Sequence, residues 1–93
     1  MRNRADNNQK EIVDALRGIG ASVLVLSQVG GGCPDLLVGY RGKEYLLEIK
    51  AKNGDLSDSQ KEFFDNWQGR PYIVRSVDEA LELLNCIWDG VDK

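Results

Sequence analysis

The sequence predicts a single α/β domain over residues 1–93, with element order α-β-β-β-α-β-α and a mixed four-stranded sheet flanked by helices. Three observations lead there. Apolar residues recur at helical spacing near both ends and in 57–67, whereas 21–27, 35–40, 44–50 and 72–75 are short runs rich in Val, Ile, Leu and Tyr. Arg41-Gly42 separates two of these runs as a two-residue hairpin loop, which makes them antiparallel neighbours. The third and fourth runs flank a helical stretch, and such a β-α-β unit adds a parallel strand by a right-handed crossover.

Taken in order, the first helix covers about residues 6–19, with Ile12, Leu16 and Ile19 as its apolar stripe and Val13 beside them. Gly18 and Gly20 stop it. Residues 21–27 are apolar and β-branched, which suits a strand covered on both faces. Residues 30–34 form a glycine loop, and the hairpin strands follow. After a polar segment, Ser57 and Gln60 make a capping box that opens a helix to about Trp67, ended by Gly69 and Pro71. Ser76 and Glu79 make a second capping box, opening a helix that buries Val77, Ala80, Leu81, Leu84 and Trp88 and closes at Gly90.

Composition excludes several classes. Hydrophobic content of 42% and charged content of 29% are ordinary for a globular domain. No apolar run approaches the roughly 20 residues that span a bilayer, so no membrane partner is expected. The opening Met-Arg-Asn-Arg-Ala-Asp has no apolar stretch behind its arginines; we expect no signal peptide and a cytoplasmic location. Cys33 and Cys86 without any histidine cannot make a four-ligand zinc site in one chain, and in a reducing compartment they read as structural thiols rather than a disulfide. The net charge of −3 disfavours a protein that simply coats DNA. Its distribution is uneven. Residues 1–54 carry eight Lys/Arg against six Asp/Glu, and residues 55–93 carry four against nine, so a polyanion would approach the first half.

The hairpin holds the chemistry. With Arg41 and Gly42 as the loop, Tyr40 faces Lys43, and the same register sets Asp35 opposite Glu48. Directly opposed residues share a face with Cβ atoms roughly 4.5–5.5 Å apart. Two carboxylates so placed repel, and a divalent cation reverses that sign. Alternation puts Lys50 on the face of Glu48. The plain alternative is a solvated face or a strand-end salt bridge from Glu48 to Lys50. Against it, apolar neighbours occupy both parities, so the hairpin should be covered on both faces and its charges partly desolvated.

Pro34-Asp35 followed by Glu48-Ile49-Lys50 resembles the PD-(D/E)xK nuclease signature. Joined to Gly32-Cys33 before it and to Leu56-Ser57-Asp58-Ser59-Gln60 after it, the pattern resembles the virus-type replication-repair nuclease (VRR-NUC) domain over nearly the whole chain. The resemblance implies a restriction-endonuclease-like core and metal-dependent hydrolysis of DNA phosphodiesters. It implies Asp35 and Glu48 as ligands of Mg²⁺ or Mn²⁺, with the Ile49 carbonyl as a third, and Lys50 as the group that orients water or stabilises developing charge. Glu11, at the edge of the first helix's stripe beside Ala15 and Gly18, matches a glutamate that completes the family's metal site; a surface glutamate is the alternative. Gln60 begins the stripe Phe63, Phe64, Trp67, and the resemblance places it near the active site rather than in a capping role alone.

Other residues divide evenly between two readings. Lys52 is either a phosphate contact or a solvated lysine. Arg2, Arg4, Lys10 and Arg17 give non-specific phosphate contacts or an ordinary basic terminus. Gly30-Gly31-Gly32 lets backbone pass close to DNA or a partner chain, or is simply flexible. The leading function is a structure-selective endonuclease acting as a homodimer on branched DNA, in the manner of four-way (Holliday) junction resolvases. The alternatives are a flap or nicking nuclease of the same family, an inactive nuclease-fold DNA-binding module, and a metal-binding interaction protein that ignores nucleic acid.

Overall fold

In a computed structural model of the chain, the backbone is described over residues 4–92 and the side chains over residues 8–85. The elements are α1 (Arg4–Gly18), β1 (Ser22–Val25), β2 (Leu36–Tyr40), β3 (Lys43–Ile49), α2 (Asp58–Asn66), β4 (Tyr72–Val74) and α3 (Val77–Asp92). The expected order holds. The sheet runs β1-β2-β3-β4, with β1, β2 and β3 antiparallel in turn and β4 parallel to β3. Expected burial of Trp88 and the state of Cys86 lie outside the described side chains, as do Arg2 and Arg4; α3 continues past Gly90.

α1 ends in a Schellman turn. Ala21 N–H donates to Leu16 O at 3.0 Å and Gly20 N–H to Arg17 O at 3.0 Å, with Gly20 at φ 93° supplying the left-handed residue. That turn takes Ile19 out of the helix, so Ile19 is 39% exposed instead of completing the stripe. Ile12, Val13 and Leu16 remain in the core. The hairpin loop is Arg41-Gly42 as expected, with φ of 53° and 82°, both on the positive side that a type I′ turn requires. An arginine there is unusual. Its guanidinium lies 5.2 Å from the Tyr40 ring centroid, a cation–π contact that offsets part of the strain.

The two faces of the sheet differ. Val23, Leu36, Val38, Tyr45, Leu47, Ile49 and Val74 point to one side and bury against Ile12, Val13 and Leu16 of α1 and Ala80 and Leu84 of α3. This is the core. The other face carries Leu24, Leu37, Leu46, Glu48 and Ile73 in the same pleat. Only α2 stands over it, and every residue of α2 is partly or fully exposed. Phe63 and Trp67 stack on each other, with ring centroids 5.1 Å apart and planes at 15°, rather than entering a core. The expectation that β1 is covered on both faces is therefore corrected, whereas on the second face of the hairpin Leu37 and Leu46 are half-buried and Glu48 is buried. Leu24, on the face of α2, is 60% exposed and Val25, on the core face at the end of β1, is 49% exposed, as befits an edge strand.

This asymmetry sets an expected contrast. Leu47→Ala, on the core face and fully buried, should lower unfolding free energy by about 2–5 kcal/mol. Leu24→Ala should change it by about 0.5 kcal/mol or less. Urea denaturation of the two variants checks which face holds the domain together; comparable losses would overturn the one-sided core.

Candidate active site at the end of the hairpin

β2 and β3 pair with Leu36 opposite Leu47 and Tyr40 opposite Lys43, which is the register expected from the two-residue loop. One step further, at the strand ends, Asp35 meets the Glu48–Ile49 segment: the Ile49 N–H donates to Asp35 Oδ2 at 2.8 Å. The Asp35 carbonyl accepts from Leu26 N–H at 2.7 Å, so Asp35 is held on one side by the residue after β1 and on the other by β3. Glu48 belongs to the central part of the sheet, with β2 on one side and β4 on the other. That placement leaves it 2% exposed, the one charged side chain buried among the described residues.

The two oxygens of Glu48 have different surroundings. Oε2 accepts from Gln60 Nε2 at 3.0 Å and lies 3.5 Å from Lys50 Nζ. Oε1 is buried and has no hydrogen-bond partner among the described residues. A buried, unpaired carboxylate oxygen is costly and needs a proton, a water or a cation. Burial pushes the Glu48 carboxyl up to about 7; the Asp35 charge adds to the rise and Lys50 opposes it. Cys33 sits in the same field. Burial, then the Glu48 and Asp35 carboxylates, raise its thiol and keep it protonated.

Gln60 performs both roles that its position allows. Its Oε1 accepts from Ser57 N–H at 2.8 Å while Ser57 Oγ accepts from Gln60 N–H at 3.3 Å, closing the capping box. Its Nε2 reaches Glu48. One amide starts α2 and attaches it to the site. Gly32 makes this possible: with φ 78°, a Cβ there would overlap the Ser59 carbonyl oxygen and lie 2.6 Å from Ser59 C and 3.0 Å from Gln60 N. The glycine loop thus passes close to α2 of its own chain. Gly30 and Gly31 face open space. At the second capping box, Ser76 Oγ accepts from Glu79 N–H at 3.1 Å, but Glu79 reaches the Arg75 N–H at 2.8 Å instead of that of Ser76.

The structure brings Asp35, Glu48, Lys50 and Gln60 together, with Ile49 between them. Glu11 is not part of that group. It is exposed on α1, and among the described residues no set of three or more Asp, Glu, Cys or His side chains is gathered to hold a metal. Lys10 pairs with Asp14 at 2.7 Å on the surface of α1, Arg17 donates to the Val23 carbonyl at 3.1 Å, and Lys52 is exposed. Two residues of the site's surroundings went unread in the sequence. Asn8 donates to the Lys50 and Arg75 carbonyls at 3.3 and 3.2 Å, and Arg75 Nη1 donates to carbonyls of the turn after Lys50. Asn8 did carry a signal: it lies one and two turns before Ile12 and Leu16, a polar residue on the buried stripe. Arg75 carried none.

Two outcomes follow from this geometry. Because the folded value for Glu48 lies above its ordinary 4.5, its contribution to stability is fullest below about pH 4.5 and is lost as pH rises through about 7. Urea denaturation in EDTA should show Glu48→Gln gaining on the original chain as pH is raised across that window; parallel pH profiles would contradict the burial of an ionising Glu48. Separately, Gly32→Ala should lower stability by about 3 kcal/mol, from steric overlap and a left-handed backbone, against about 1 kcal/mol for Gly31→Ala. Equal losses in thermal or urea melts would show that the close approach to α2 is not holding the loop.

The family model described as the VRR-NUC domain matches residues 2–79. A solved structure titled "VRR_NUC domain" superposes with a TM-score of 0.66 at 23% identity, covering 90% of this chain and 97% of that one, a likeness of fold. No curated protein matches. Among the described residues, no helix is long and apolar enough to cross a membrane. Matched along most of its length, with the Pro-Asp and Glu-x-Lys segments meeting at one end of the sheet, this chain belongs to the VRR-NUC family of nuclease domains.

Proposed function

We propose that the chain is a Mg²⁺- or Mn²⁺-dependent DNA endonuclease that acts on branched DNA, the leading substrate being a four-way junction cut by a homodimer. The observation that carries this reading is the orphaned Oε1 of Glu48, buried beside Asp35. The donor set fits a hard divalent cation: two carboxylates at the ends of adjacent strands, with the Ile49 carbonyl as a further oxygen. Asp35 and Glu48 would hold it. Exposed on α1, Glu11 is left out of this set. When bound, such a cation supplies Lewis-acid polarisation of the scissile phosphate and a lowered pKa for the attacking water.

The chain's own residues do the rest. Gln60, anchored in its capping box, holds Oε2 so that Oε1 is the oxygen presented to the site. Lys50, 3.5 Å from the same carboxylate, keeps a positive charge at the edge of the site. There it can orient water or stabilise the charge that builds on the phosphate oxygens as the ester bond breaks. Protonated Cys33 adds neither charge nor nucleophile. The dimer reading rests on symmetry: a four-way junction needs two coordinated cuts, and one domain of 93 residues offers one such site.

The test is incubation of the purified chain with four-way junction, flap, nicked and linear DNA, in Mg²⁺, Mn²⁺ or EDTA. Metal-dependent product on branched DNA is expected. Glu48→Gln should lower the rate by roughly 100-fold or more while binding measured in Ca²⁺ persists. A preference for flap or nick would select the other endonuclease reading. No product on any DNA would overturn the nuclease assignment, and a one-chain mass in gel filtration would overturn the dimer.

A further inference from the structure

We infer that Asn8 and Arg75 form a clasp that positions Lys50, making both of them positioning residues for the hydrolysis proposed above, on whose reading of Lys50 the inference rests. β3 ends at Ile49, so Lys50 is the first residue beyond the strand. Strand ends are where ladder hydrogen bonds lapse and chains fray. Here both polar groups of the Lys50 main chain have partners. Its N–H donates to the Val74 carbonyl at 3.1 Å. Its carbonyl accepts from Asn8 Nδ2 at 3.3 Å, and the same nitrogen donates to the Arg75 carbonyl at 3.2 Å. Both acceptors are carbonyl oxygens, so only the NH₂ end of the amide can face them, and its orientation is chemically fixed. One side chain of α1 thus joins the C-terminal ends of the parallel strands β3 and β4.

Arg75 closes the clasp from the other side. Its Nη1 donates to the carbonyls of Gly54 at 2.7 Å and Ala51 at 2.8 Å, with that of Lys52 at 3.4 Å. These belong to the turn that follows Lys50, itself closed by Gly54 N–H donating to Ala51 O at 3.0 Å. The turn folds back on the lysine: a Cβ at Gly54 would lie 3.6 Å from Lys50 Cβ. None of residues 51–54 is buried, so water could satisfy their carbonyls. One side chain, that of Arg75, reaching back across 21 to 24 positions of sequence, holds them instead.

What the clasp fixes is the root of a flexible side chain whose ammonium lies 3.5 Å from Glu48 Oε2. Lysine brings four rotatable bonds; a root free to fray would add backbone motion to them. Displacement of a catalytic group by about 1 Å is enough to lose about 100-fold in rate. The anchoring falls on a residue where such a displacement has that effect.

The test uses Arg75→Lys, Arg75→Ala and Asn8→Ala in the full chain, on whichever DNA the original chain cuts best. Single-turnover rates at saturating DNA and metal should fall about 10–100-fold, least for Arg75→Lys, with DNA affinity in Ca²⁺ retained. Circular dichroism should show each variant folded at the assay temperature, and amide exchange should quicken at residues 50–54 while the core stays protected. Folded variants that cleave at the original rate would overturn the clasp. So would a raised KM at unchanged kcat, or exchange that quickens throughout the chain. Should Arg75→Ala fail to fold, Asn8→Ala decides, because it leaves the guanidinium contacts in place. An original chain inert on every DNA would instead remove the nuclease reading, and the positioning role with it.

Discussion

A carboxylate buried in the middle of a sheet, beside a second acid, dictates what the rest of the molecule has to supply. Glu48 occupies β3, the strand with neighbours on both sides, and the pleat turns it away from the core that Leu47 and Ile49 enter. Burial raises the free energy of its charged form, and Asp35 raises it further. Partners then arrive from separate parts of the chain: Lys50 from the same strand end, Gln60 from α2, and the Ile49 N–H to steady Asp35. Among the described residues, only Glu48 Oε1 is left over. A chain selected for stability alone would place a leucine there, as replacing a buried charge by an apolar group is often neutral or favourable. The retained acid is a cost that makes sense for a site.

The two faces of the sheet divide the labour that follows. One face, packed by α1 and α3, supplies the apolar burial that holds the fold. The other carries the acids and is overlain by a helix none of whose residues is fully buried. α2 is located by particular contacts instead of a hydrophobic layer: the Gln60 amide, the close approach at Gly32, and the capping box at Ser57. Thick packing there would stabilise the domain and close the site.

Much of this was legible in the residues. The Arg41-Gly42 loop fixes the hairpin register, and that register opposes Asp35 to Glu48; a one-residue slip would turn every side chain to the other face. The capping boxes and the glycines near the end of α1 placed the helix boundaries because they act locally. What escaped was partly local and partly non-local. Ile19 fits the helical period, yet the Schellman turn ends the helix before it. The exposure of β1 depends on its being an edge strand, which hydrophobicity does not encode. Glu11 sits next to Ile12 on α1, and helical phase turns it outward when Ile12 faces the core. Arg75 and Gly32 act on main-chain atoms 21 and 27 positions away, and main-chain partners leave no mark in side-chain patterns.

The glycine loop shows how unequal three identical residues can be. Gly30 and Gly31 need glycine only for their backbone angles; Gly32 needs it also because another part of the chain occupies the volume a side chain would take. Substitution at the first two positions therefore meets backbone strain alone, and at the third it meets overlap as well. A longer or differently charged tip inserted at residues 30–31 would project from the rim of the site without moving Asp35 or Gln60. Within this fold, the loop is a place where one domain could acquire a new choice of DNA while its carboxylates stay where they are.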